Sequence, residues 1–127
     1  MELRRYEVTI TTTGSAGSAT GSETITVAPP GYIEWVDYDF HASAPATTDV
    51  TGTMAAGANP PGEVVFTSPN SATDVLQFPR AAAVNLAGTA ITNSHVPVLV
   101  SGALAIAVAQ CDALAGAVVV TVGVRES

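Results

Sequence analysis

Apolar and polar residues alternate along much of this chain with a period of two, and the alternating runs are short. Tyr6, Val8 and Ile10 alternate with Glu7, Thr9 and Thr11, which predicts a half-buried strand over residues 4–13. A Gly/Ser/Ala stretch, TGSAGSATGS at 13–22, then reads as a flexible hairpin loop. Alternation resumes at 23–28, with Ile25 and Val27 expected inside, and Pro29-Pro30-Gly31 is expected to turn the chain into the next strand.

The run GYIEWVDYDFHA at 31–42 holds Trp35, the only tryptophan, with Tyr32, Tyr38 and Phe40. Aromatic and β-branched residues in one short run predict a strand, and rings of this size make it the anchor of the core. Simple alternation places Tyr32, Val36, Tyr38 and Phe40 on one face and Ile33, Trp35, Asp37, Asp39 and His41 on the other. The second face turns from apolar to charged midway, as a strand does when it leaves the core or carries a bulge. Trp35 is expected to be largely buried.

Further strands are expected at 47–54, around Val50 and Met54, and at 63–67, around Val64, Val65 and Phe66. Residues 75–78 form a short apolar piece that Pro79 ends, a strand fragment or a helical turn. Residues 80–96 show weak periodicity and read as a long loop or an irregular edge. Residues 101–111 are alanine-rich enough for a helix, yet Leu104, Ile106 and Val108 alternate strictly with Ala103, Ala105, Ala107 and Ala109, which predicts a strand. Residues 117–124 put Val118, Val120, Val122 and Val124 on one face, and the two runs are expected to pair as a hairpin. The alanine side of 101–111 offers nothing polar to water, so the 80–96 segment or a neighbouring copy should cover it. About eight strands and no amphipathic helix predict an all-β fold, an antiparallel β-sandwich of jelly-roll type in one domain, 1–127.

Composition narrows the function classes. Lysine is absent, and four arginines face eleven acidic residues for a net charge of −7. That balance argues against nucleic acid, whose phosphate backbone needs clustered positive charge, and fits docking on a basic surface. Only 12% of residues are charged while 47% are hydrophobic, a lean surface against the ~25% charge of typical domains. Burial of part of the outside in a homodimer or homotrimer would account for it. Cys111 is the single cysteine, which excludes an internal disulfide and a cysteine-based zinc site. The N-terminus has no apolar signal region, and the most apolar stretch, 96–109, falls short of the ~20 residues a membrane helix needs. Synthesis in a cytoplasm and no membrane partner are the resulting expectations.

Candidate chemistry is sparse. Asp37, Asp39 and His41 could offer metal ligands on one strand face, but side chains at i, i+2 and i+4 spread over ~14 Å at ~3.4 Å per residue. No metal site is therefore expected there. His41, His95 and the serines carry no motif that fixes a catalytic geometry, and neither a nucleophile elbow nor a phosphate loop occurs. The chain is read as non-enzymatic, without cofactor. Arg4 and Arg5 beside Glu2 and Glu7 read as a compensated strand start, and Arg80 is expected to pair with an acidic group inside the chain.

The layout resembles small β-sandwich structural proteins of tailed-phage virions, especially capsid cement or decoration proteins. It runs from the aromatic strand GYIEWVDYDF through APATTDVTGT and TDVLQFPR to VPVLVSGALAIAVAQCD and GAVVVTVGV. The resemblance covers most of the chain from Gly31 onward, and the N-terminal Thr/Gly/Ser hairpin has no counterpart in it. It implies a homo-oligomer on the outer capsid face that bridges capsomers of the major capsid protein and lacks catalytic residues. It transfers no contact residue. A carbohydrate- or receptor-binding module built on Tyr32, Trp35 or Tyr38, or a tail component, is the alternative expectation.

Overall fold

The computed structural model describes residues 2–127. Among them every regular element is a β-strand: β1 (Leu3–Ile10), β2 (Ala19–Phe40), β3 (Asp49–Met54), β4 (Val64–Ser68), β5 (Val75–Gln77), β6 (Ala81–Val84), β7 (Ala90–Val96), β8 (Val98–Cys111) and β9 (Val118–Glu126). All pairings are antiparallel. The fold is all-β and consistent with a β-sandwich.

One strand organises it. β2 is 22 residues long, and its first part pairs with β8 while its second part, from Gly31, pairs with β9. The expected turn at Pro29-Pro30-Gly31 is instead a register break within this strand, between Val27 and Gly31. Proline has no N–H for a ladder, and here the two prolines interrupt the ladder to β8, which resumes from Gly31 to Ile33 as β2 also begins to pair with β9. Arg4 fastens the break, donating to Ala28 O and, at 2.6 Å, to Pro29 O.

The strand order is β1-β9-β2-β8-β3-β4, with β5 on β2. The expected hairpin of the last two long strands is therefore not formed. β8 and β9 lie on opposite sides of β2, because β2 is long enough to take both. The parts of the sheet on either side of the break fold over one core: Tyr38 of β2 meets Phe66 of β4 edge-on at 6.2 Å and stacks near Phe40 at the same separation. Val118, Val120, Val122 and Val124 of β9 and Leu104, Ile106 and Val108 of β8 fill this core, all essentially without solvent exposure.

Three further expectations are corrected. A second register shift, between Ile33 and Trp35, inserts an extra residue at Glu34 opposite β9. A bulge of this kind reverses the alternation, so Ile33 joins Val36, Tyr38 and Phe40 inside, while Tyr32 turns outward beside Trp35, Asp37 and Asp39. Residues 80–96 are not a loop but a separate two-stranded hairpin, β6–β7. Its turn is set by Asn85, whose Oδ1 accepts from Ala87 N and Thr89 N at 2.9 and 3.0 Å, and by Gly88 at φ +82°. The N-terminal loop is shorter than 13–22: Thr13 already bridges to Thr20, and β2 starts at Ala19, packed opposite Cys111. Gly17 N donates to the Asp112 carboxylate at 2.8 Å and so ties this loop to the turn before β9.

Candidate functional site

Three surfaces differ enough in chemistry to be weighed as sites. The first is the outer face of β1, β9 and the second half of β2. The bulge at Glu34 presents Tyr32 and Trp35 outward, both half-buried rather than buried as expected for Trp35. Trp35 lies flat on Gly123 of β9, where any Cβ would collide with the indole ring, so the tryptophan fills the gap that the glycine leaves. Arg5 sits 5.8 Å from its ring centre, and Arg125 sits 4.7 Å from the ring of Tyr32, within cation–π range. Arg5, Trp35, Asp37 and Leu76 line an open cleft of about 490 Å³.

Glu34, the extra residue of the bulge, holds two arginines. Arg125 Nε donates to its carboxylate at 2.7 Å, and Arg80 Nη2 lies 3.6 Å away. Arg80 Nη1 also donates to Pro79 O at 2.7 Å and to Ile33 O at 3.3 Å. Arg80 thus pairs within the chain as the sequence reading held, and it clamps the root of the hairpin to the bulge.

The second surface is the outer face of β8 and its neighbours. Ala103, Ala105, Ala107 and Ala109 point outward and are exposed or half-exposed, so no described segment of the chain covers them, contrary to the expectation for 80–96. Across the ladders they are flanked by Thr24 and Thr26 of β2 and by Thr51 and Thr53 of β3. The result is a flat field of methyls and threonine side chains, with the Asp49 carboxylate of β3 opposite Ala109 at one end.

The third surface is the β6–β7 arm. Its strands pair only with each other. Val84, Ile91 and Val96 are about half-exposed and Leu86 is fully exposed, at 110% of its reference area. Val75, Leu76 and Phe78 near its root are also exposed. From Ala81 through Cys111 the sequence has no Asp, Glu, Lys or Arg, so the arm and the alanine face belong to one uncharged span of an otherwise acidic chain. The Asn85 and Gly88 turn between apolar runs was the signal for the arm in the sequence.

The remaining candidates do not converge. Asp37 is half-buried and Asp39 exposed on the outer face of β2, while His41 follows the strand end, its Nδ1 accepting from Ser43 N at 3.0 Å. Among the described residues no three His, Cys, Asp or Glu side chains come together as metal ligands. His95 is exposed on β7, opposite Ala82 and on a different element from His41. Cys111 is buried at the end of β8. Inside the core, Tyr38 donates to Gln77 Oε1 at 2.8 Å, and burial pushes its phenol well above the ordinary value. No described helix is long and apolar enough to cross a membrane.

Comparison with known protein families, with curated proteins and with solved structures finds no match.

Proposed function

We propose that this chain is a non-enzymatic structural protein of a phage virion, a homo-oligomer that binds the outer surface of the capsid and stabilises contacts between capsomers of the major capsid protein. The observation that carries the reading is the uncharged arm standing out from a net-acidic body, with Leu86 wholly in solvent. A two-stranded ribbon is marginal alone in water, and exposed apolar side chains gathered in one place mark interaction surfaces. Additive contacts on a repeating lattice suit such a layout, because one docked contact raises the effective concentration of the next.

The test uses capsids of the same phage with and without the protein. Binding to the intact state alone stabilises that state by mass action, so capsids lacking the protein should melt at lower temperature. Purified protein should restore the transition and saturate at a fixed number per capsomer. Equal melting in the two preparations would refute the reading.

The Trp35 cleft favours a second reading, a carbohydrate-binding face. An indole lying flat on Gly123 beside Arg5 and Asp37 offers a stacking surface and polar partners for hydroxyl groups. Trp35 fluorescence titrated with a panel of neutral and acidic sugars tests it, and an unchanged spectrum throughout would remove it.

A further inference from the structure

The arm and the alanine face share three properties. Neither the arm nor β8 carries a charged residue, the one charge beside the alanines being Asp49 of β3 opposite Ala109; both are exposed, and neither is covered by a described segment of its own chain. We propose that two copies exchange arms, the β6–β7 hairpin of each lying across the β8 alanine face of the other. This deepens the self-association part of the reading above and rests on that part, not on capsid binding.

Charge selects a second copy as the occupant. Each chain carries −7, so two copies repel wherever charged surface meets charged surface. All fifteen charged residues (four basic and eleven acidic) lie outside residues 81–111, which leaves that span as the place where acidic copies touch without that cost. A partner recognised by charge would use the body, where the arginines and carboxylates are. Shape agrees: methyl and threonine side chains keep the β8 face low, and a second β layer packs ~10 Å away when its side chains interdigitate. Val84, which shares a face of the arm with Ala90, and Leu86 at its tip supply the large side chains that the alanine face lacks.

Area selects reciprocal docking. β7 has seven residues, so at ~3.4 Å per residue the arm is ~24 Å long and, two strands wide, ~10 Å across. One docked arm then buries about 240 Å² on each side, ~500 Å² in all, which is below the ~1,000 Å² of a specific interface. Two docked arms reach that limit. Reciprocal exchange about a two-fold axis provides both in one interface, each patch meeting the same pair of patches.

Light scattering on the purified full chain across micromolar concentrations tests the exchange without any capsid present. Wild type should give a dimer mass. Leu86→Asp combined with Val84→Asp should disable the arm, and Ala105→Arg should disable the face. Each change should weaken dimerisation by ~30-fold or more. All three positions face solvent in the single chain, so circular dichroism should confirm that the strands are kept. Mixing the arm variant with the face variant leaves one intact arm for one intact face, ~500 Å² by the same measure, so the mixed pair should associate only weakly and only at the highest concentrations, but more than either variant alone. A monomeric wild type, a trimer mass, or an Ala105→Arg protein that dimerises as wild type does would each overturn the exchange; the last would mean that arms meet arms. None of these outcomes decides the capsid reading, which stands or falls on capsid melting.

Discussion

Leu104 and Leu86 lie eighteen residues apart in the same uncharged span, and their surroundings could hardly differ more. Leu104 sits on β8 with no exposed surface, opposite Ile25 and Met54 on the neighbouring strands, whereas Leu86 sits at the tip of the arm, fully in solvent. Alternation marks Leu104, which alternates strictly with alanines, and gives no burial reading for Leu86, which lies in a stretch of weak periodicity. The difference is the neighbour. β8 has β2 on one side and β3 on the other, with a second layer over its leucine face, while β6 and β7 have only each other. A hydrophobic side chain contributes to folding only when the fold supplies something to bury it against, so the body is held by its core while the arm's apolar side chains stay in solvent.

The sharpest way to break this comparison is to truncate the buried member. Leu104→Ala should cost ~2–5 kcal/mol, transfer and cavity terms together, read from the midpoint of urea unfolding. A loss under ~1 kcal/mol would show that the body is not close-packed at its centre.

Packing over glycine gives the next effect. Phe66 of β4 lies across Gly52 of β3, where a Cβ would run into the ring, in the way that Trp35 lies across Gly123. Gly52→Val must displace Phe66 from Tyr38, with an expected loss of ~1–3 kcal/mol. Near-ultraviolet circular dichroism should report the disturbed aromatics. Unchanged near-ultraviolet signal and stability would mean that the ring moves aside freely.

Alkaline pH probes the same core through Tyr38. In the unfolded chain its phenol loses its proton near pH 10, while in the folded chain burial keeps it protonated to higher pH. Deprotonation therefore favours the unfolded state, so the contribution is fully present below about pH 10 and is lost as pH rises beyond it. Tyr38→Phe should flatten that alkaline decline and, at neutral pH, cost the ~0.5–1.5 kcal/mol of a lost hydrogen bond to Gln77. Parallel pH–stability curves for the two proteins would contradict this.

The smallest effect belongs to the arm. Leu86→Ala in the monomeric Ala105→Arg background should change body stability by no more than ~0.5 kcal/mol. A loss approaching that of Leu104→Ala would show that the arm packs on its own body, and would erase the distinction drawn between the two leucines.

The all-β class, the inward valines of β9 and the strand character of 101–111 were legible because each depends on local alternation. Ala103, Ala105, Ala107 and Ala109 between Leu104, Ile106 and Val108 read correctly as a strand despite their helix propensity, since burial on one side outweighs the few tenths of a kcal/mol per residue that propensity supplies. Arg80 was also read correctly as an internally paired arginine, although its partner Glu34 lies 46 residues away. Alternation placed Trp35 with Asp37 and Asp39, as found, but the burial expected of it from the scarcity of large side chains was wrong. The exchange of Tyr32 with Ile33 was not legible, because it depends on one extra residue at Glu34 and a one-residue shift exchanges the two faces of a strand.

What the sequence by itself determined is a set of local choices: the strand character of most of the body, which positions alternate there, and that residues 81–111 carry no charge, whereas 80–96 read as a loop or irregular edge although the Asn85 and Gly88 turn lies in it. Only the tertiary structure decided which strands are neighbours. That β2 pairs with β8 on both sides of the Pro29-Pro30 break and with β9 from Gly31 onward, that those two strands do not pair with each other, and that the alanine face stays uncovered by the described residues all follow from long-range pairing. Alternation fixes which side of a strand is apolar, a property of the chain within a few residues. Which surface meets that side depends on contacts between residues far apart in sequence, and a period of two carries no information about them.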